Sequence, residues 1–190
     1  IEALHRSNKH NNRIVCHNMN EELNQKYSEL KNSIEKLGSA IIAFSGGIDS
    51  TLILKAAYDS LGKNAVAVTA DSPSLPRREL EDTRKIAEQI GARHIIINTE
   101  ETQKEEYLQN PANRCYYCKS ELYAKLKEIS KELMIKNILN GTNFDDLGDY
   151  RPGFKAADEN DIISPLKDAK LTKNEIRELA KHLGLEAWDK

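Results

Sequence analysis

Short apolar runs alternate with amphipathic helical patterns along most of this chain. The runs lie at 40–44, 65–70, 94–98, 137–140 and 161–164, and the helical patterns lie at 21–37, 49–61, 77–90, 114–133 and 172–183. Such short runs without polar alternation are typical of strands that are buried on both faces. Strands that alternate with helices form right-handed crossovers, so we predict a doubly wound α/β domain with a parallel sheet of about five strands.

Composition excludes several classes of protein. Over 190 residues, 28 Lys and Arg stand against 30 Asp and Glu, for a net charge of −2. This balance argues against a dedicated nucleic-acid binder, which usually carries a basic excess. No apolar run approaches the ~20 residues of a membrane span, so we expect no membrane partner. Two of the three cysteines form a C-x-x-C, a usage that favours a reducing compartment, and we expect a cytoplasmic protein.

The two ends of the chain carry separate expectations. Residues 1–18 are polar and show no helical or strand period, so we interpret them as an extension outside the fold, which then spans 19–190. The sequence stops at W-D-K, shortly after the glycine that ends the last helical pattern. Nothing there resembles a domain terminus, so we expect a C-terminal domain after Lys190.

The first predicted strand runs directly into the loop S-G-G-I-D-S at 45–50, and a helix follows. Gly46 and Gly47 permit backbone angles at which successive N–H groups point into one concavity. The helix adds its unpaired N–H groups and positive dipole end, while Ser45 and Ser50 add hydroxyl donors. Asp49 fits this cradle if it holds a Mg²⁺ that bridges phosphates. The loop therefore predicts a phosphate site, although an ordinary strand–helix turn is the alternative.

The loop lacks the lysine of a Walker A motif and the spacing of the dinucleotide G-x-G-x-x-G, which excludes kinases, GTPases and Rossmann dehydrogenases. It resembles the PP-loop of the ATP pyrophosphatase superfamily, which includes NAD, GMP and asparagine synthetases and tRNA thiolation enzymes. These enzymes cleave ATP between the α- and β-phosphates. The resemblance implies that ATP and Mg²⁺ are the cofactors and that the loop holds the departing pyrophosphate.

Further stretches resemble one branch of that superfamily, the LarE-type ATP-dependent sacrificial sulfur transferases. They are T-A-D-S at 69–72, N-P-A-N-R-C-Y-Y-C-K at 110–119, G-T-N-F-D-D-L-G-D-Y-R-P-G at 141–153, S-P-L at 164–166, L-T-K-x-E-I-R at 171–177 and W-D-K at 188–190. The resemblance covers the chain from Met19 to its last residue. The run at 141–153 is the most diagnostic.

The resemblance implies a specific reaction. An enzyme of this type adenylylates a carboxylate on a pyridinium mononucleotide, and a protein cysteine then donates its sulfur and becomes dehydroalanine. The product serves the nickel-pincer cofactor of lactate racemase. The family's donor cysteine follows the W-D-K segment by a few residues, so here it is expected beyond Lys190.

The carboxyl edge of the predicted sheet supplies the other candidate site residues, because ligands of doubly wound folds bind there. The adenosine-binding candidates are Phe44, Ala70, Asp71, Ser72, Gly141 and Thr142. The substrate-binding candidates are Asn143, Asp146 and Arg151. The alternatives are a plain strand end at 69–72, a capped Asx-type turn at 141–146 and a solvated surface arginine at 151.

Cys115 and Cys118 have three interpretations. Two thiolates are too few for a closed zinc site or a cubane cluster, but some members of the resembled family join such a pair to a downstream cysteine in an iron–sulfur cluster. The pair also fits direct redox or sulfur-relay chemistry, since a helix start lowers thiol pKa values. The third interpretation is a structural pair, and the residues leave all three open.

An ATP-dependent sulfur transferase that acts on a small-molecule nucleotide is therefore the leading hypothesis. A tRNA thiolation enzyme would need a basic surface and an RNA-binding appendage. A nucleotide-binding module without catalysis would leave Asp49 without a purpose. The oligomeric state stays open, and a homo-oligomer is compatible with the sequence.

Overall fold

A computed structural model of the chain describes residues 20–73, 75–99, 114–148 and 152–189. The strands are β1 (Ala40–Ala43), β2 (Ala65–Asp71), β3 (Arg93–Asn98) and β4 (Ile138–Leu139). The helices of these ranges are α1 (Glu21–Glu35), α2 (Ile48–Leu61), α3 (Arg77–Ile90), α4 (Arg114–Leu133), α5 (Pro152–Glu159), α6 (Pro165–Asp168) and α7 (Lys173–His182). Single 3-10 turns lie at Gly62–Asn64, Asp145–Gly148 and Glu186–Asp189.

The strands form one parallel sheet in the order β3-β2-β1-β4. From β1 the chain moves outward through β2 to β3, and it then returns to the other side of β1 for β4. The gap between β1 and β4 is therefore the topological switch point, beside which such sheets bind ligands. The predicted doubly wound parallel fold is confirmed.

Alternate residues of the central strands enter two different hydrophobic cores. Ile42 of β1 packs with residues of α1, α2, α3 and α7, whereas its neighbour Ile41 packs with residues of α4 and α5. Successive side chains of a strand point to opposite faces, so each face of the sheet buries its own layer of helices. Both isoleucines are fully buried, which accounts for the continuous apolar runs in the sequence.

The fifth predicted strand is reduced to a single bridge. Ile163 pairs in parallel with Leu139, and its N–H donates to the Ile138 carbonyl at 3.0 Å. Ser164 and Pro165 follow at once, and the proline has no N–H to donate and begins α6. The sheet of the described residues therefore has four strands instead of about five. Within those residues, no helix has the length and apolar character needed to cross a bilayer.

An ion pair joins α7 to α1, two helices that pack in the same core. Thr172 and Glu175 form a reciprocal capping box at the start of α7. Lys26 of α1 approaches Glu175 Oε1 at 2.6 Å. Burial opposes ionisation of Glu175, but the hydrogen bonds from Lys26 and Thr172 outweigh it and hold the Glu175 pKa below its ordinary value of 4.5.

We expect Glu175→Gln to lower the free energy of unfolding by about 1 kcal/mol at pH 7, because glutamine keeps the cap but not the ion pair. The Glu175 pKa is depressed in the folded state, so its contribution is present above about pH 4.5 and is lost as the pH falls through the folded pKa. Urea unfolding at pH 7 and at pH 3 measures the difference. Glu178→Gln, on the exposed side of the same helix, is the control and should stay within about 0.5 kcal/mol of wild type. A pH-independent effect of Glu175→Gln would contradict the ion-pair explanation.

Candidate functional site

The loop between β1 and α2 has the backbone of a phosphate cradle. Gly46 has φ +75°, and a Cβ there would lie 2.9 Å from Thr83 Cγ2, so only glycine fits without strain. Gly47 is the N-cap of α2. The first hydrogen bond of the helix runs from the Thr51 N–H to the Gly47 carbonyl oxygen, at 2.9 Å. The N–H groups of residues 48–50 precede that bond and have no intrahelical acceptor, as in the first turn of any helix.

The two serines of the loop hold its shape. Ser50 Oγ donates to the Gly47 carbonyl at 3.0 Å and accepts from the Ser45 N–H at 3.2 Å. The Ser45 and Ser50 hydroxyls lie 3.1 Å apart. Ser50 is buried while Ser45 is exposed, so Ser50 shapes the loop and the Ser45 side chain stays accessible at the cleft.

The turn after β4 packs directly against the start of α2. A Cβ on Gly141 would lie 2.9 Å from the Ser50 N and 3.1 Å from the Asp49 carbonyl carbon, both of which are backbone atoms. Asn140 locks this turn, because its Oδ1 accepts from the Thr142 N–H at 3.1 Å and from Ser164 Oγ at 2.9 Å. The loops on either side of the switch point are thereby held in contact.

A cleft of about 450 Å³ opens between these loops and the layer formed by α4 and α5. The predicted residues that line it are Ser45, Gly47, Asp49, Ser50, Cys115, Gly141, Thr142 and Asp146. Ala43, Lys119, Leu122, Tyr123, Asn140, Gly153 and Phe154 complete the wall. A second cleft of about 600 Å³ lies on the α3 side of the same loop, where Ser45, Gly46 and Gly47 meet Arg78, Glu79 and Asp82. The loop therefore forms a wall of both clefts.

Asp49 has a cationic partner that the sequence analysis missed. Lys173 Nζ lies 2.6 Å from Asp49 Oδ2, and both side chains are partly buried. Lys173 is the first residue of α7, where the helix dipole disfavours a positive charge. A lysine at the start of a predicted helix was therefore the sequence signal that its charge is paired with a residue outside that helix.

The other oxygen of Asp49 fits a metal ion. Asp49 Oδ1 is buried and has no hydrogen-bond partner among the described residues. A buried carboxylate oxygen without a partner is costly, and a hard cation such as Mg²⁺ would satisfy it. Within the described ranges no three His, Cys, Asp or Glu residues converge on a metal position. Mg²⁺ commonly takes one or two carboxylates and completes its shell with water and phosphates, so the donor set fits that ion.

Two of the predicted adenosine residues at the β1 and β2 ends are engaged within the protein. Phe44 is buried with its ring edge-on to His94, its N–H donates to the Val68 carbonyl and its carbonyl accepts from Thr69 Oγ1. The carboxylate of Asp71 accepts two hydrogen bonds from Arg77, at 2.9 and 2.5 Å. The Arg77 guanidinium holds the Asp71 pKa below its ordinary value.

Ala70 and Ser72 continue the same strand end. Ala70 is half-buried and Ser72 is buried. Of the predicted adenosine residues, only Gly141 and Thr142 line the first cleft, the one of about 450 Å³. The adenosine role of the β2 end stays a prediction.

The turn at 143–148 matches the capped Asx alternative for Asn143. Asn143 Oδ1 accepts from the N–H groups of Asp145 and Asp146, at 3.0 and 3.2 Å. Asp146 Oδ2 returns the contact by accepting from the Asn143 N–H at 3.0 Å. Asn143 thus shapes the turn, while Asp146 also lines the cleft. Arg151 lies outside the described residues, and its substrate role stays a prediction.

The C-x-x-C motif occupies the first turn of α4. Cys115 is exposed and lines the cleft, whereas Cys118, three residues further along, is half-buried. Neither forms a disulfide in the described part of the chain. The motif therefore presents one thiol to the space that the phosphate cradle borders.

A parallel sheet with a glycine-rich phosphate cradle at its switch point defines a HUP-type nucleotide-binding domain. Residues 39–186 match the model of the Arginosuccinate synthase N-terminal HUP domain. The chain belongs to this family, which is part of the PP-loop superfamily.

Several known proteins are similar to the chain. It is 47% identical over 168 residues to the uncharacterized protein slr1717 of Synechocystis sp., covering 88% of this chain and 63% of that protein. It is 36% identical over 166 residues to the pyridinium-3,5-bisthiocarboxylic acid mononucleotide synthase of Lactiplantibacillus plantarum, covering 87% and 60%. The chain thus spans less than two thirds of either relative. An NMN synthetase structure from Francisella tularensis superposes with a TM-score of 0.70 at 18% identity, covering 88% of this chain and 74% of that one, and shares the fold.

We expect Gly141→Ala to lower the free energy of unfolding by about 1–3 kcal/mol, because the added methyl meets backbone atoms of α2 that cannot yield. Gly148→Ala is the matched control in the same segment, since a Cβ there meets nothing within 4 Å. Urea unfolding of both variants measures the difference. Equal stabilities would contradict the close packing of the two loops.

Proposed function

We propose that this chain is the ATP-binding and carboxylate-activating part of an ATP-dependent sulfur transferase that acts on a pyridinium mononucleotide. The observation that carries the proposal is the meeting of the phosphate cradle, the half-satisfied carboxylate of Asp49 and the thiol of Cys115 in one cleft. The similarity to a pyridinium-3,5-bisthiocarboxylic acid mononucleotide synthase supports the choice of substrate.

Residues of the loop would bind the two terminal phosphates of ATP. Amides at the start of α2 donate to phosphate oxygens, and Ser45 adds a hydroxyl. Lys173 lies close enough to Asp49 to exchange that carboxylate for a phosphate oxygen when the nucleotide enters. Asp49 would hold the Mg²⁺, which when bound neutralises charge on the phosphates.

The reaction proposed at this site is adenylyl transfer. A carboxylate oxygen of the substrate bonds to the α-phosphorus of ATP, and the bond from that phosphorus to the oxygen bridging the β-phosphate breaks. Pyrophosphate leaves with the electron pair, and an acyl adenylate remains. The loop amides and Lys173 stabilise the charge that develops on the leaving group, because they are fixed in place before the reaction.

Sulfur transfer would follow in the same cleft. A cysteine thiolate bonds to the acyl carbon and AMP departs, which leaves a thioester. Loss of the α-proton of that cysteine then breaks its Cβ–S bond, and the products are a thiocarboxylate and a dehydroalanine. The resembled family takes this cysteine from beyond the W-D-K segment, and the position of Cys115 supports a contribution of the C-x-x-C motif as a cluster ligand or sulfur carrier.

We expect Asp49→Asn to lower pyrophosphate release by about 100-fold in the full-length protein supplied with Mg²⁺, α-labelled ATP and a pyridinium mononucleotide carboxylate. Asp59→Asn is the matched control, since Asp59 lies at the far end of the same helix and pairs with Lys55. Labelled AMP is the expected product of the wild type. Labelled ADP with orthophosphate would refute the proposal.

The role of Cys115 requires a separate measurement. We expect Cys115→Ser to leave pyrophosphate release within about two-fold of wild type but to lower thiocarboxylate formation by more than about ten-fold, because the thiol acts after activation. Cys16→Ser is the control, since it changes the cysteine outside the motif. Normal thiocarboxylate yield from Cys115→Ser would limit the C-x-x-C motif to a structural role.

A further inference from the structure

We propose that Asp145 is a positioning residue that acts through Lys173 and thereby controls nucleotide binding in the cleft. The inference rests on the proposed function, since it concerns the lysine assigned there to the phosphates. Asp145 is exposed, and within the described residues it is not part of the wall of the cleft. Its effect must therefore pass through the residue that it contacts.

Asp145 forms hydrogen bonds both within its own turn and with the start of α7. Its own N–H donates to Asn143 Oδ1 at 3.0 Å, which fixes the residue in the turn. Its Oδ2 accepts from the backbone N–H of Lys173 at 2.8 Å. This is a charge-assisted hydrogen bond to the first amide of α7, and such bonds are shorter and stronger than neutral ones.

The hydrogen bond between Asp145 and the Lys173 N–H offsets an electrostatic repulsion at the start of α7. Lys173 carries a positive charge at the end of a helix that is itself positive. The Asp145 carboxylate at the same helix end, together with Asp49 at the lysine tip, offsets both charges. Asp145 thus ties the backbone of Lys173 while Asp49 holds its ammonium group.

The two adjacent carboxylates of this turn face different structures. Asp146 accepts from the Asn143 N–H and lines the cleft, whereas Asp145 turns to α7. Of the two, only Asp146 was predicted from the sequence to bind a ligand. The structure divides the pair into one residue at the cleft and one that contacts Lys173, the ion-pair partner of the cleft residue Asp49.

The local fold does not depend on the Asp145 carboxylate. The Phe144 N–H donates to the Leu171 carbonyl at 2.9 Å, and the Lys167 N–H donates to the Thr142 carbonyl at 3.2 Å. The capping box of Thr172 and Glu175 independently begins α7. Removal of the carboxylate should therefore loosen Lys173 without unfolding the turn.

A double-mutant cycle on MgATP binding to the full-length protein tests the proposal. We expect Asp145→Ala to raise the Kd about five-fold and Lys173→Ala to raise it more than about ten-fold. Because Asp145 acts through Lys173, the double variant should match Lys173→Ala within about two-fold. Asp145→Asn keeps an acceptor oxygen for the Lys173 N–H but loses the charge, so its Kd should lie between those of the wild type and Asp145→Ala.

The controls separate the possible failures. Asp158→Ala removes an exposed acid of α5 and should leave the Kd unchanged. If Asp145→Ala does not fold by urea unfolding, Asp145→Glu enters the same cycle, since it keeps the charge but displaces the acceptor oxygen. An equal loss from the Asp145 substitution in the wild-type and Lys173→Ala backgrounds would overturn the inference. Failure of the wild type to bind MgATP would instead refute the proposed function.

Discussion

The close packing of the turn after β4 against the first residues of α2 is the contact on which the site depends. It needs a residue without a side chain, because the position of a Cβ on Gly141 is already taken by the backbone at Asp49 and Ser50. This contact brings the two loops that flank the switch point together and closes one side of the cleft. The phosphate cradle alone would be an open turn at the edge of a sheet.

The charge of the cleft residue Asp49 is balanced by a lysine that is distant in sequence. Asp49 belongs to the first βα loop, and Lys173 begins the last helix of the described fold. One Asp49 oxygen is paired with the Lys173 ammonium group, and the other is buried without a hydrogen-bond partner among the described residues. The pair therefore offers an oxygen suited to a cation and an ammonium group suited to a phosphate. The same ion pair offsets the repulsion between the Lys173 ammonium group and the positive end of the α7 dipole.

Much of the fold could be predicted because local sequence determines it. The predicted bounds of α3 and α4 agree with the structure to the residue, since Gly91 ends α3 and a stripe of apolar residues marks α4. The fifth strand was predicted too long, because a short apolar run does not reveal how many of its backbone groups form hydrogen bonds with a neighbouring strand. Pro165 ends that pairing after one bridge. Helix α5 was missed, because its eight residues are too few to show a repeating apolar pattern.

The sequence by itself determined the alternation of strands and helices, the phosphate loop at 45–50 and the family, because these depend on neighbouring residues and on motif spacing. Tertiary structure alone decided which polar side chains share a cleft. It directed Asp146 inward and Asp145 to α7, and it brought Lys173 to Asp49. It also engaged Phe44 and Asp71 with partners inside the protein. The physical reason is that hydrogen bonds and ion pairs between distant segments depend on strand order and helix packing, which local patterns do not encode.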